Sequence, residues 1–576
     1  MMIMTRSAAI IAAITSLSFG MAAETLSNGI VLPAVWPPEY NVSFDPMPLP
    51  YLSEARPEVL PIDNGRQLLV DSFLIESSTL ERVAHTPVKV PFNPVLSPET
   101  QLEMGVYGTP GASAKDGGVW WDPRDGVFKM WYEAGWLNKM AYATSKDGIN
   151  WERPELDVVP GTNEIVPDIV ADASTVWLDH FTDDDSQRFK MFLRSPNSIP
   201  GSKERFNYGN CMASPDGIHW SAPARTGRCG DRSTIFYNPF RKVWVYSLRN
   251  AGNVNHSAIG RYRLYHESPD FMEGASWDYD SLAFWTGADY KDDADPYIGD
   301  RPQLYNLSAT PYESIMLALP QIHLGPDNAV CRNKGIPKIT ELKVAYSRDG
   351  FHWDRTDRDV FISAERHPGA WDRGYVQSVG GICAVVGDEL WFYYIGFSGD
   401  NRKRSNVYER NGMHYGGSTG MAVLRRDGFV SHHADSSGGE LLTRPLVFSG
   451  KYLFVNVDCD GGSIAAEVIG PDGKVVEGYS IDECRPLSVD STISRISWKG
   501  KKDLAGLAGK PVRIRFRVTD GDLYSFWVSP SEAGESRGFN AAGGPGFTGG
   551  IDNEGMNAYK AAKAYQIKNK LNNLSK

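Results

Sequence analysis

Ser145-Lys146-Asp147-Gly148-Ile149-Asn150-Trp151 decides the fold, because the pattern returns as Ser214-Pro215-Asp216-Gly217-Ile218-His219-Trp220 and Ser347-Arg348-Asp349-Gly350-Phe351-His352-Trp353. A looser copy runs from Ser268-Pro269-Asp270 to Trp277. Asp-Gly is a hairpin-turn pair, in which Gly takes the positive φ that the turn requires. Each full copy follows a strand-like segment, over 139–144, 208–213 and 342–346. The repeated Asp residues therefore read as turn formers, and the Trp as packing on an adjoining sheet.

Two more elements repeat around this one. Alternating apolar strands lie at 127–132, 188–193, 243–248, 314–319 and 389–395. Ahead of them, polar residues open strands that end in aromatics, at Asp116–Trp121, Asp172–Trp177 and Asp231–Phe236, with weaker versions at 300–305 and 377–381. Five units of roughly 67 residues each suit four-stranded blades with long loops. No amphipathic helices intervene, which argues against an α/β barrel. The expected fold is all-β, a five-bladed β-propeller followed by a C-terminal β-sandwich; a tandem of sandwiches is the competing arrangement.

The boundaries follow from texture. Residues 1–23 read as an export signal, with Arg6 before an apolar run and Ala22-Ala23 as the cleavage site. Residues 24–64 form a Pro-rich strap, 65–435 the propeller and 436–530 the sandwich. The rest, 531–576, is a Gly-rich loop and a helical tail, whose polar, basic helix over 555–574 reads as a surface appendage. Gly543-Gly544-Pro545-Gly546 lacks the Gly-Lys-Ser/Thr of a phosphate loop and reads as a linker.

Composition limits the function classes. The 576 residues are 41% hydrophobic and 22% charged, ordinary for a globular protein. A formal charge of −11 argues against nucleic-acid binding, which needs a Lys/Arg excess. One short apolar run at the N-terminus argues against stable membrane insertion. Export allows the six Cys to pair, and Cys211 with Cys229 and Cys459 with Cys484 are plausible pairings. No cofactor is required; Asp183-Asp184-Asp185 and Asp292-Asp293 resemble calcium-prone runs, although solvated loops are the default. The oligomeric state stays open.

Several segments then carry a family resemblance: Leu68-Leu69-Val70-Asp71-Ser72-Phe73-Leu74-Ile75-Glu76, Gly230-Asp231-Arg232-Ser233-Thr234-Ile235-Phe236-Tyr237-Asn238-Pro239-Phe240, Gly439-Glu440-Leu441-Leu442-Thr443-Arg444-Pro445 and Leu523-Tyr524-Ser525-Phe526-Trp527. Together with the order signal, propeller, sandwich, they resemble exported bacterial proteins akin to the invertase-like glycoside hydrolases of family 32, which are related to the arabinanase-like families. The resemblance implies a secreted or periplasmic enzyme that cleaves a terminal sugar from a plant or algal poly- or oligosaccharide.

It also implies three carboxylates on the innermost strands of the first three blades. The matching positions are Asp116 as nucleophile or base, Asp172 as stabiliser and Asp231 as acid, spaced 56 and 59 residues apart. Glycosidic cleavage needs one ionised and one protonated carboxyl, held apart in pKa by environment. This chain departs from the family's Glu-Cys with Asp231-Arg232, which leaves Glu133 as an alternative proton donor. Arg194, Arg249 and the Gln321/His323 pair occupy strand ends equivalent to Glu133. With Arg232, Trp121 and Gln377 they complete the expected substrate-binding set, and the two arginines suit a carboxylate or sulfate on the sugar. His323 and His414 read equally as structural residues. A non-catalytic carbohydrate-binding propeller and a glycoside phosphorylase are the alternative functions.

Overall fold

The computed structural model describes residues 23–106, 108–195, 208–254, 256–401 and 412–571. The expected export signal lies outside the described residues, apart from Ala23. The protein is almost entirely β, with α-helices at Asn328–Lys334 and Met556–Asn569. Neither helix is long and apolar enough to cross a membrane.

Five antiparallel sheets follow one another along the chain. The first holds Val119–Asp122, Val127–Ala134 and Lys139–Ser145, with Ala112–Ser113 extending its inner edge. In the second, Ser174–Leu178, Phe189–Ser195, Tyr208–Ser214 and Ala224–Arg228 pair in chain order. The third repeats that order with Thr234–Asn238, Val243–Val254, Ser257–Ser268 and Ala283–Gly287. Gln303–Glu313 and Ile315–Gly325 lead the fourth, Gly374–Val386, Glu389–Phe397 and Ser418–Arg425 the fifth. The fifth sheet takes its outermost strand, Val88–Lys89, from the N-terminal side of the chain. The inner strand of the fifth sheet also packs against Lys115–Gly117 and Val119–Asp122 of the first, so the series closes on itself.

The repeated Asp-Gly segments are turns. Asp147 Oδ1 accepts from the amides of Ile149 and Asn150, Asp216 Oδ1 from Ile218 and His219, and Asp349 Oδ1 from Phe351 and His352. Gly148 and Gly217 also accept hydrogen bonds from neighbouring sheets. Gly217, at φ +83, offers its carbonyl to Trp131 Nε1 of the first sheet at 2.7 Å. A Cβ there would lie 2.5 Å from the Trp131 ring, so position 217 needs glycine for both conformation and space.

Charges tie sheets together where inner strands end. Asp122, fully buried, pairs with Lys129 at 2.8 Å and with Arg188 of the second sheet. Burial pushes its carboxyl up, but Arg188 and Lys129 overcome this and hold it at about 2. A depressed folded pKa stabilises above the ordinary carboxylate value, and the contribution disappears as pH falls through the folded one. Asp122→Asn is therefore expected to cost about 2 kcal/mol at neutral pH and almost nothing near pH 2, as read by denaturant unfolding at both pH values.

The C-terminal region is built from two packed antiparallel sheets. One orders Asp490–Arg495, Tyr452–Asp458, Gly521–Ser529, Val430–Ala434 and Glu81–Ala84; the other orders Ser463–Ile469, Arg513–Thr519, Gly439–Thr443 and Ile75–Ser78. Val455, Ile464, Ile514, Phe516 and Phe526 fill the space between them. Residues 75–84 and 430–434 thus pair outside the 65–435 unit in which the sequence reading put them. Alternation sets which face of a strand is buried, not which sheet it joins.

The helix expected as a surface appendage packs one face on the protein, and the loop before it is bonded into the sheets. Phe539–Asn540 pairs with Tyr312 and Glu313, and Ala542 bonds Trp121 and Cys383 through backbone groups. Ala542 is 1% exposed, and helix Met556–Asn569 lays Tyr565 against Trp121 and Phe128. All six cysteines are buried free thiols, so neither expected disulfide is formed.

Candidate functional site

Each of the first three inner strands closes in a turn capped by its own side chain. Asp122 Oδ1 accepts from Arg124, Asp179 Oδ1 from Phe181 and Asn238 Oδ1 from Phe240, at 2.9–3.1 Å. Seven residues before these common points stand Lys115, Asp172 and Asp231. Facing the turns are Val127, Arg188 and Val243, and six residues beyond those stand Glu133, Arg194 and Arg249. Every inner residue therefore has a partner of opposite charge on its neighbouring strand. Lys115 Nζ lies 2.9 Å from Glu133, Asp172 binds Arg194, and Arg249 Nε donates to the Asp231 carbonyl at 2.7 Å.

This register corrects the expected triad. The position equivalent to Asp172 and Asp231 is Lys115, and Asp116 matches Ala173 and Arg232. The spacings of 56 and 59 residues are near enough to a repeat to hide a one-residue offset. Ala173 and Arg232, at φ +73 and +60, share left-handed backbone, a conformation costing about 1–3 kcal/mol in a non-Gly residue. The two aspartates are thus presented by the same strained step.

Asp116 is completely buried and committed to the protein. Arg232 pairs with it at 2.7 Å, and Asn306 Nδ2 and Ser308 Oγ each donate to Oδ1 at 3.0 Å. Burial pushes its carboxyl above the ordinary range, with Arg232 and Ser308 pulling the other way. Gly380 of the fifth sheet passes so close that a Cβ would lie 2.4 Å from the Asp116 carbonyl. Arg232, equally inaccessible, also reaches Gln321 at 3.3 Å. Both residues join sheets, so neither the nucleophile nor the sugar-binding arginine expected of them is available.

Asp172 and Asp231 retain access. The Asp172 side chain is 16% exposed, between Arg194 and the Lys115 ammonium at 3.4 Å. Asp231 accepts from Tyr305 Oη at 3.1 Å. Burial pushes the Asp231 carboxyl up, but Arg249, Arg194, Lys115 and Lys338 outweigh it and hold it far below the ordinary range. Such a group is ionised at neutral pH, which suits a base or nucleophile rather than the acid role expected of it. Glu133 is not a free donor either. Both its oxygens bind Lys115, and one accepts from the Ala173 amide at 2.6 Å, so it anchors Lys115 and the strained step beside Asp172.

The structure adds residues that the sequence reading passed over. Lys338, 3% exposed, donates to Tyr305 Oη at 3.2 Å and lies over the Tyr305 and Tyr375 rings at 4.8 and 4.6 Å. Tyr305 and Tyr375 share a 2.9 Å hydrogen bond. Tyr305 closes the weaker repeat at 300–305, whereas Lys338 and Tyr375 follow none and lie far from Asp231 in sequence. His323 packs edge-on against Tyr305, and burial holds its pKa well below the usual value. His414 stacks on Trp136 at 4.8 Å beside Tyr375. Gln377 is inaccessible on the fifth inner strand, and neither amide atom has a partner among the described residues. Trp121 belongs to the tail-packed end, against Phe128 and Tyr565, and is no stacking platform for this site.

Among the described residues no group of three or more His, Cys, Asp or Glu is arranged to hold a metal. In the expected calcium-prone runs, Asp292 pairs with Arg355 at 2.6 Å and Asp184 caps Ser186.

No family model and no curated protein matches the sequence. Among solved structures, the chain is similar to an N-acetylgalactosamine deacetylase from F. plautii in complex with blood group B trisaccharide, at 14% identity over 59% of this chain and 95% of that one, TM-score 0.40. It is also similar to the GH32 β-fructofuranosidase BmSUC1 of Bombyx mori, at 10% identity over 76% and 94% of the two chains, TM-score 0.35. A fructofuranosidase from Schwanniomyces occidentalis is similar at 11% identity over 73% and 95%, TM-score 0.33.

Proposed function

We propose that the five closed sheets are the blades of a β-propeller, that the paired C-terminal sheets are a β-sandwich, and that the chain is an exported glycoside hydrolase. The observation that carries the activity is the pair Asp172 and Asp231, set at equivalent positions on neighbouring inner strands and accessible beside shared cations. Asp231, held ionised, serves as base or nucleophile, and the Tyr305 hydroxyl beside it gives the leaving oxygen its proton. Asp172, oriented by Arg194 and Lys115, stabilises the positive charge that develops on the sugar ring. Asp116 and Glu133 hold the architecture around them.

A screen of reducing-end release across plant and algal polysaccharides tests this reading. Turnover of at least one glycan, abolished by Asp231→Asn, supports it. Glycan binding without turnover supports the carbohydrate-binding alternative instead, and turnover that requires added phosphate supports a phosphorylase.

A further inference from the structure

We infer that the site is built for a saccharide bearing an anionic oxygen substituent, a carboxylate or a sulfate, which Lys338 and Arg249 receive beside Asp231. The inference deepens the glycosidase reading and rests on it for the location of the sugar.

The charges around the site do not balance. Lys115 is matched by Glu133 and Asp172, and Arg194 by Asp172. That leaves Asp231 facing both Arg249 and Lys338, and neither cation forms an ion pair with a carboxylate among the described residues. Arg249 uses its Nε on the Asp231 carbonyl, while no contact to its terminal nitrogens is seen among the described residues. Lys338 has one hydrogen-bond partner, the neutral Tyr305 hydroxyl, and two aromatic faces.

Nearby groups add positive charge rather than cancel it. Arg261 lies over the Tyr305 ring at 4.8 Å and binds the uncharged Gln303. Arg263 is inaccessible, bonded to Ser247 and to backbone carbonyls; burial and then Arg249 pull its pKa down to about 9. His323 and His414 are neutral. In a chain of formal charge −11, this concentration of cations is opposite to the overall sign.

Retaining a buried cation such as Lys338 without a carboxylate in contact costs desolvation. An incoming oxyanion supplies the missing partner. Arg249 can present two N–H groups to it and Lys338 a point charge, a combination that accepts either carboxylate or sulfate. The same event bears on the chemistry. A bound anion offsets Arg249 and Lys338, two of the four cations that hold the Asp231 carboxyl low, so the Asp231 pKa rises on substrate binding.

The test uses the full-length protein and matched polymers: a uronic-acid polysaccharide and its carboxyl-reduced form, and a sulfated polysaccharide and its desulfated form. Release of reducing ends and binding by calorimetry are measured for each. Preference of about tenfold or more for one anionic polymer over its neutralised partner is expected, and which pair responds identifies the substituent. Lys338→Met and Arg249→Gln are expected to raise KM on the anionic polymer by about tenfold or more while leaving binding of the neutralised one unchanged.

Equal use of charged and neutralised polymers overturns the inference and leaves the glycosidase reading intact. Selective binding of an anionic polymer without cleavage does the reverse. If Lys338→Met unfolds the protein, Arg249→Gln and the polymer comparison still decide.

Discussion

Asp231→Asn is expected to lower turnover by about 10³-fold or more while leaving the fold and sugar binding nearly unchanged. Asn preserves the shape and can still accept from Tyr305, but it carries no charge and cannot act as base or nucleophile. The side chain is partly open to solvent at the head of its strand and forms no direct ion pair among the described residues, so its neutralisation breaks no carboxylate–cation contact. Asp116→Asn gives the contrasting result. There Arg232, inaccessible and dependent on Asp116 at 2.7 Å, loses its counter-charge. Removing one partner of a buried pair costs about 3–5 kcal/mol, so this variant is expected to lose stability first, with activity falling in proportion to folded protein. Thermal unfolding and kcat measured on both variants separate the two roles. Full turnover in Asp231→Asn would end the assignment.

The second large effect is expected at Asp427, where three parts of the chain meet. Asp427 lies 1% exposed in the turn between Ser418–Arg425 of the fifth sheet and Val430–Ala434 of the C-terminal unit. Its carboxylate pairs with Arg66 at 3.0 Å and accepts from Ser525 at 2.7 Å, Asn456 at 3.1 Å and the Tyr312 hydroxyl. Burial pushes the carboxyl up, but Arg66 and Arg426 with these hydrogen bonds hold it at about 2. Arg66 is itself inaccessible and stacked on Trp527 at 4.2 Å, leaving Glu313 at 3.4 Å as its remaining counter-ion. Asp427→Ala is expected to destabilise the protein by about 3–5 kcal/mol. Urea denaturation followed by tryptophan fluorescence reads this directly, and an unchanged midpoint would show that the network contributes nothing.

Local chemistry was legible in the sequence. Ser-x-Asp-Gly-x-x-Trp encodes a turn through contacts a few residues apart, so Asp147, Asp216 and Asp349 could be taken as turn formers without coordinates. Asp172, Asp231, Arg194 and Arg249 were reachable because they recur at nearly constant distance along the chain. Asp116 was placed among them since a count of residues carries no hydrogen-bond register. An offset of one residue moves a side chain from the open end of the strands into the buried axis, where Arg232 awaits it. Tyr305 closes one of the weaker repeats, at 300–305, but nothing in the repeat marks it as a site residue, and Lys338 and Tyr375 left no trace in any repeat. They come from the fourth and fifth sheets and converge on Asp231 through closure of the whole series.

What the sequence determined by itself was the kind of element and its repetition: strands, turns, and an acidic residue heading successive inner strands. These depend on φ/ψ preferences and on neighbours within one hairpin. The tertiary structure alone decided which charges face one another, that 75–84 pairs with the C-terminal sheets, and that the tail buries Trp121. Burial and electrostatic pairing are properties of distance in space. A chain that brings residue 66 to residue 427, and 231 to 338, creates those distances only when it folds.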